Sequence, residues 1–244
     1  MIIEKIRKNI IQPANFIIQA KTNLLENIKI NLGSISDSVV QEWFTMLNKK
    51  RFLLSNYSRS KIAVAVLDIT DFKSFAEYYE IIKGKNSASY FTRKSERMNN
   101  TFIAIDRNLY VDDIYEINTS SPRRQGKRME DRFWIRETHY DDEAKSEYYG
   151  IVNNSQKLIA YIYLKYLCEA VFICRSLGHA NYLDDGIMYQ LIVRSIEKIF
   201  DRRSQTQKQI KYIVYDSFLT NSKGLSLFKK RFKFEPKTVV WEVE

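Results

Sequence analysis

The stretch "RSLGHANYLDDGIMYQLI", residues 175–192, decides how this chain is read. It follows an apolar run, "AVFICRS" (170–176), and beyond it Ile187, Met188, Leu191, Ile192, Ser195, Ile196 and Ile199 recur on one helical face. The stretch is therefore a strand feeding a helix through a short loop, with Arg202 and Arg203 near the helix's negative end. A helix N-terminus offers unpaired amide hydrogens and the positive end of a dipole, so such a junction suits a phosphate. This loop places Asp184 and Asp185 directly before Gly186, and either carboxylate can cap the helix by accepting those same amides.

Working outward, "YYGIV" (148–152) and "KLIAYIYLK" (157–165) read as strands joined by the turn Asn153, Asn154, Ser155. Upstream, "TFIAI" (101–105) is a strand, "VDDIYEINTS" (111–120) a helix, "SPRRQGKR" (121–128) a basic loop and "MEDRFWIRET" (129–138) a second helix. Downstream come a strand, "IKYIVYDSF" (210–218), a helix, "SKGLSLFKKRF" (222–232), and a last strand, "KTVVWEV" (237–243). Before residue 101 the sequence predicts helix over the first thirty residues, broken at Pro13 and reaching Ile30. A helix capped by Asp37 (38–50), a buried strand (61–70), a helix capped by Asp71 (72–83) and a helix over 88–98 follow. The division expected is a helical extension, 1–60, and an α/β domain, 61–244.

Composition narrows the function classes. Forty-five per cent hydrophobic residues, with 7 Gly and 3 Pro in 244, describe a folded chain without long linkers. Lys and Arg exceed Asp and Glu by 39 to 29, which suits an anionic partner such as nucleic acid, an acidic headgroup or a phosphorylated cofactor, or a merely soluble basic surface. Residues 1–30 carry Lys5, Arg7 and Lys8 beside an apolar stripe, a pattern for peripheral association with an acidic membrane or for docking on the protein's own domain. The most apolar stretch (158–174) is interrupted by Lys165 and Glu169 before it could span a bilayer, so no integral membrane role is expected. Cys168 and Cys174 complete no metal-ligand pattern and read as buried thiols in a cytoplasmic protein.

From residue 101 the order strand, two helices, three strands, helix, strand, helix, strand resembles the GNAT superfamily of acyl-CoA-dependent N-acyltransferases. In "NYLDDG", Asn181, Asp184 and Gly186 fall on the positions of the family's pyrophosphate loop, Asp184 where glycine is usual. In "NSKGLSLFKKRFKFEP" (221–236), Asn221, Gly224, Phe228 and Phe234 resemble the family's terminal segment, with Phe228 where many members carry the tyrosine that protonates the leaving thiolate. The resemblance implies a mixed central α/β sheet flanked by helices, with acetyl-CoA or another acyl-CoA as co-substrate and no metal. It implies a donor site at Arg175, Ser176, Leu177, Asn181, Asp185, Gly186, Ile187, Asn221 and Phe228. Glu116, His179 and Tyr215 are the catalytic candidates, and Arg123, Arg124, Gln125 and Arg128 would bind an amine acceptor, suited to one with an anionic group. Aminoacyl transfer from tRNA on the same fold, and a non-catalytic binding module, are the alternatives.

Overall fold

The computed structural model describes residues 25–49, 61–124, 127–206, 209–218 and 223–244. Residues 27–31, expected to be helical, form strand β1 (Asn27–Asn31). Ile28, Ile30 and Leu32 alternate with polar residues, and that period of two prevails once the strand has a partner, β10, on which to bury Ile30. Helix α1 (Ser38–Asn48) begins as expected, the Asp37 carboxylate accepting the amides of Val39 and Val40. Residues 1–24 and 50–60, the remainder of the expected extension, lie outside the described residues.

Strand β2 (Val64–Asp68) is buried on both faces and leads to helix α2 (Phe75–Ile81). The cap there is Ser74, not Asp71. Its hydroxyl accepts the Glu77 amide at 3.3 Å while the Glu77 carboxylate accepts the Lys73 amide at 2.7 Å, an arrangement close to a capping box. Helix α3 (Ala88–Arg97), strand β3 (Thr101–Ala104) and helix α4 (Val111–Thr119) follow.

The expected basic loop is a short hairpin of β4 (Arg123–Arg124) and β5 (Lys127–Arg128). The helix expected over 129–138 is reduced to a single 3-10 turn, Asp131–Trp134. Trp134 and Ile135 stay exposed, so no apolar face is buried to sustain a longer helix. The chain instead runs extended along α4, where Tyr140 and Asn108 exchange two hydrogen bonds.

Strands β6 (Ser146–Val152), β7 (Leu158–Leu167) and β8 (Ala170–Gly178) form an antiparallel meander. A 3-10 turn, Ala180–Asp185, then opens helix α5 (Ile187–Thr206), followed by β9 (Tyr212–Ser217), α6 (Lys223–Arg231) and β10 (Glu235–Glu242). The eight-stranded sheet has the order β1-β10-β2-β9-β8-β7-β6-β3, antiparallel except for the pairs β1/β10 and β8/β9. One face packs on α2, α3 and α5 through Tyr78, Ile162, Ile187 and Phe232. The other carries α1 over Phe172 and Trp241 at one end, and α4 over Leu158 and Tyr161 at the other. It is a mixed α/β fold with helices on both sides of a mixed sheet, as the resemblance implies. The two cysteines depart from expectation: both are exposed, Cys168 in the β7–β8 turn and Cys174 at an irregularity of β8.

Gly186 sits where β8 hands over to α5, with φ of +87°, and a methyl group there would run into the carbonyl oxygen of Phe91 on α3. Strain and clash both act against any side chain. Replacing Gly186 with Ala is expected to destabilise the fold by about 2–3 kcal/mol, read as a lower midpoint in urea unfolding at unchanged slope.

Candidate functional site

Strands β8 and β9 run parallel for three residues only. Ala170, Val171 and Phe172 pair with Tyr212, Ile213 and Val214, and there the ladder ends. Both strands are bulged beside that point: β8 carries Cys174 as an extra residue against β7, and β9 carries an extra residue against β2 near Asp216, whose φ is +48°. Bulges raise local twist and bend a strand, so the two strands part like the arms of a fork. A cavity of about 320 Å³ occupies the gap, walled by Leu177, Leu183, Met188, Leu225 and Phe228, with Ser176, Tyr215, Arg123 and Arg124 as its polar lining.

Two polar features define the cavity. The Ser176 and Tyr215 hydroxyls, one from each arm, lie 2.6 Å apart. Burial pushes the Tyr215 hydroxyl above its ordinary value, so it remains a proton donor at neutral pH. Below it sits Lys229 of α6, 1% exposed, whose Nζ donates to the carbonyls of Tyr215 (2.5 Å) and Ser217 (2.8 Å) and lies 4.6 Å from the centre of the Tyr215 ring. Those carbonyls flank the β9 bulge, so the ammonium fixes the bent arm. Burial pulls Lys229 down to about 8.

The other arm is held by Arg124. Its guanidinium donates to the carbonyls of Gly178 (2.8 Å) and Ile117 (2.7 Å) and to Ser120 Oγ (2.9 Å), and Ser120 Oγ in turn accepts the Ala180 amide at 3.0 Å. The end of α4 is thereby tied to the tip of β8. Among the described residues no carboxylate balances this half-buried cation, and burial draws it below its ordinary value.

Glu116 and His179 come together, but outside the lining of the cavity. His179 Nδ1 accepts the Asn181 amide at 3.2 Å, which leaves the proton on Nε2, 3.4 Å from Glu116 Oε1. Glu116 also pairs with Lys157 at 2.5 Å, and that ammonium, more than His179, holds its carboxyl below the usual range. At the loop, Asp184 is exposed and Asp185 half-buried, and among the described residues neither carboxylate accepts a hydrogen bond, so neither caps α5. The Asp184 carbonyl takes the Lys94 ammonium at 2.6 Å.

Of the remaining expected site residues, Asn181 is exposed and Ile187 is buried in the core. The Arg175 guanidinium lies 4.8 Å from the Phe133 ring. Arg128 faces a separate surface cleft and pairs with Asp131 at 3.3 Å. Gln125 and Asn221 lie outside the described residues. Lys229 and Asp216 were not expected. Lys229 is legible in principle, because it falls on the same stripe as Leu225 and Phe232 at helical spacing, where a lysine has to find buried acceptors.

Among the described residues no group of His, Cys, Asp or Glu could hold a metal ion, and no helix is long and apolar enough to cross a membrane.

Lys229 links this geometry to pH. Its folded value lies below that of the unfolded chain, so between about 8 and 10.5 the unfolded state binds more protons. Its contribution is full above that window and is lost as pH falls through about 8. Stability is expected to rise with pH across the window, by at most about 3 kcal/mol, and the rise should vanish in Lys229→Met; urea unfolding of both proteins at pH 7.5 and 10 tests it.

No family model and no curated protein matches the sequence. Solved structures do match in shape. FemX is similar with a TM-score of 0.56 at 8% identity, covering 84% of this chain and 68% of that one. A conserved protein of unknown function from Bacteroides thetaiotaomicron gives 0.50 at 16% identity, covering 81% of this chain and 63% of that one. L-PGS from Bacillus licheniformis gives 0.46 at 13% identity over 72% of this chain, which spans 59% of that protein's length. At these identities the likeness is one of fold, and the fold, with its forked parallel pair at the centre of a mixed sheet, is GNAT-like.

Proposed function

We propose that this chain is an acyltransferase that moves an acyl group, carried into the fork as an activated ester, onto an amine. The observation that carries the reading is the fork itself: an apolar cavity between two parting strands, with one hydroxyl from each arm meeting inside it. A narrow apolar slot excludes water and positions the carbonyl, and positioning supplies much of the acceleration in such transfers.

Nitrogen bonds to the acyl carbon, the bond from that carbon to the leaving sulfur or oxygen breaks, and the leaving atom takes a proton. Tyr215 is the donor in this reading and takes the role that Phe228 cannot fill; the proton lost by the attacking amine restores it through Ser176. Glu116 and His179, held by each other and by Lys157 and Asn181, keep the loop in shape beside the transfer. Arg123 and Arg124 make one wall of the cavity cationic, which suits an anionic group on the acceptor.

Acetyl-CoA or another acyl-CoA is the donor that the apolar walls around Ser176, Leu177 and Phe228 suit. The loop fits a pyrophosphate poorly: among the described residues no cation pairs with the Asp184 or Asp185 carboxylate, the Lys94 ammonium being taken by the Asp184 carbonyl, and the Gly186 backbone is packed on Phe91. That observation favours a second reading, in which the donor is an aminoacyl-tRNA held by the basic surface.

Thermal melts with acetyl-CoA and with a tRNA pool separate the two. A ligand at 100 times its Kd stabilises by about 2.7 kcal/mol, and stabilisation by tRNA alone should fall steeply between 50 and 200 mM salt. No shift with either would leave a binding module and discard the transferase. In Tyr215→Phe, kcat with the effective donor is expected to fall about 100-fold while the melting shift stays unchanged.

A further inference from the structure

On the sheet face opposite Tyr215 lies a second concavity, of about 200 Å³, that the resemblance does not account for. Trp43 of α1, Phe172 of β8 and Trp241 of β10 pack at tilted angles around its floor, with ring centres 4.9 Å apart for Trp43 and Phe172 and 5.5 Å apart for Phe172 and Trp241. The groove straddles the point where the strands part: Ile173 and Cys174 line it from β8, Val214 and Asp216 from β9.

Asp216 is its one acidic residue, and its carboxylate is solvent-exposed. Among the described residues it forms no salt bridge and accepts no hydrogen bond, although the buried Lys229 ammonium is near enough to feel its charge. The nearest candidate, Lys229, spends its ammonium on the carbonyls of Tyr215 and Ser217 instead. The backbone there adopts a left-handed conformation that a bulge imposes and that aspartate tolerates, so the carboxylate is fixed by the strand and not by an ion pair. A free carboxylate beside indole and phenyl rings is complementary to an organic cation: the carboxylate takes the charge, the rings take the hydrocarbon, and any exposed ring face adds a cation–π term.

We infer that this groove is the binding site for a primary ammonium carried on an alkyl or arylalkyl chain. The inference rests on the proposed transfer only for its purpose. Asp216 adjoins Tyr215 in the chain, about 3.8 Å away between α-carbons, so an amine held by Asp216 waits at the opposite side of the fork from the acyl cavity. The class of acceptor follows: an amine on an apolar chain, presented through the gap between β8 and β9.

Binding is measured directly, without any acyl donor, so its outcome is independent of whether transfer occurs. Calorimetric titration with hexylammonium, hexanol and hexanoate is expected to give the ammonium the tightest binding and hexanoate none. Asp216→Asn, which keeps a residue tolerant of the left-handed backbone, should weaken hexylammonium about 10-fold or more and leave hexanol binding unchanged. Trp43→Ala should weaken both hexylammonium and hexanol. Equal binding of hexylammonium and hexanoate, or an Asp216→Asn protein that binds the ammonium as tightly as the parent, overturns the assignment. Tight ammonium binding without turnover would uphold the site and count against the transferase reading alone.

Discussion

The structure depends on keeping apart two parallel strands that would otherwise pair. Beyond Phe172 and Val214 the facing edges of β8 and β9 have no ladder between them, and buried backbone groups left without partners are costly. Two cations meet that cost from opposite sides. Lys229 supplies donors to the carbonyls of the bent β9, and Arg124 supplies donors to the end of β8 and to the last turn of α4. Among the described residues neither forms a salt bridge with a carboxylate, although Lys229 feels the charge of Asp216. Each acts as a set of N–H donors placed where strand pairing would have supplied them, and the bulges at Cys174 and Asp216 set the angle between the arms.

Holding a gap open with buried cations has electrostatic effects inside it. Arg124 lies in the wall of the fork cavity and Lys229 under the Tyr215 ring, so the cavity is positive beneath an apolar surface. A developing negative charge at the centre of the fork would be stabilised by both without contact from either, since fixed charges act strongly where water is scarce. On the opposite face the sign reverses, with Asp216 exposed above the aromatic floor. In the proposed reading, a negative groove for the incoming amine and a positive cavity for the acyl group would lie on the two sides of one gap.

The meander and its helix are the parts most legible in the sequence. "KLIAYIYLK" is a strand buried on both faces and "AVFICRS" is so over its first four residues, and the stripe from Ile187 to Ile199 can only be a helix packed on them, so β7, β8 and α5 follow from local pattern. Residues 27–31 are less legible, because Ile28 and Ile30 fit a helical stripe as well as an alternating one until β10 provides an edge. The basic-aromatic segment after β5 has the propensity for helix but no face to bury, and tertiary bonds at Tyr140 and Asn108 prevail. In the site, Ser176, Leu177, Tyr215 and Phe228 are grouped by the resemblance to the GNAT superfamily, and they line one cavity. The roles of Lys229 and Asp216 could not be read in this way, since they arise from a bulge, and an inserted residue leaves no periodic trace.

The sheet order carries a consequence for how the chain is made. Strand β10 lies between β1 and β2, so the segment ending near residue 242 must insert between two strands from the first seventy residues. On the ribosome, the neighbours from β3 to β8 can pair as they emerge, whereas β1 waits for β10 and β2, once joined to β9, keeps its other edge bare until then. Contacts of such long sequence separation make folding slow, and nascent chains halted before β10 would expose the unpaired β1 and one edge of the apolar β2 to chaperones and to one another.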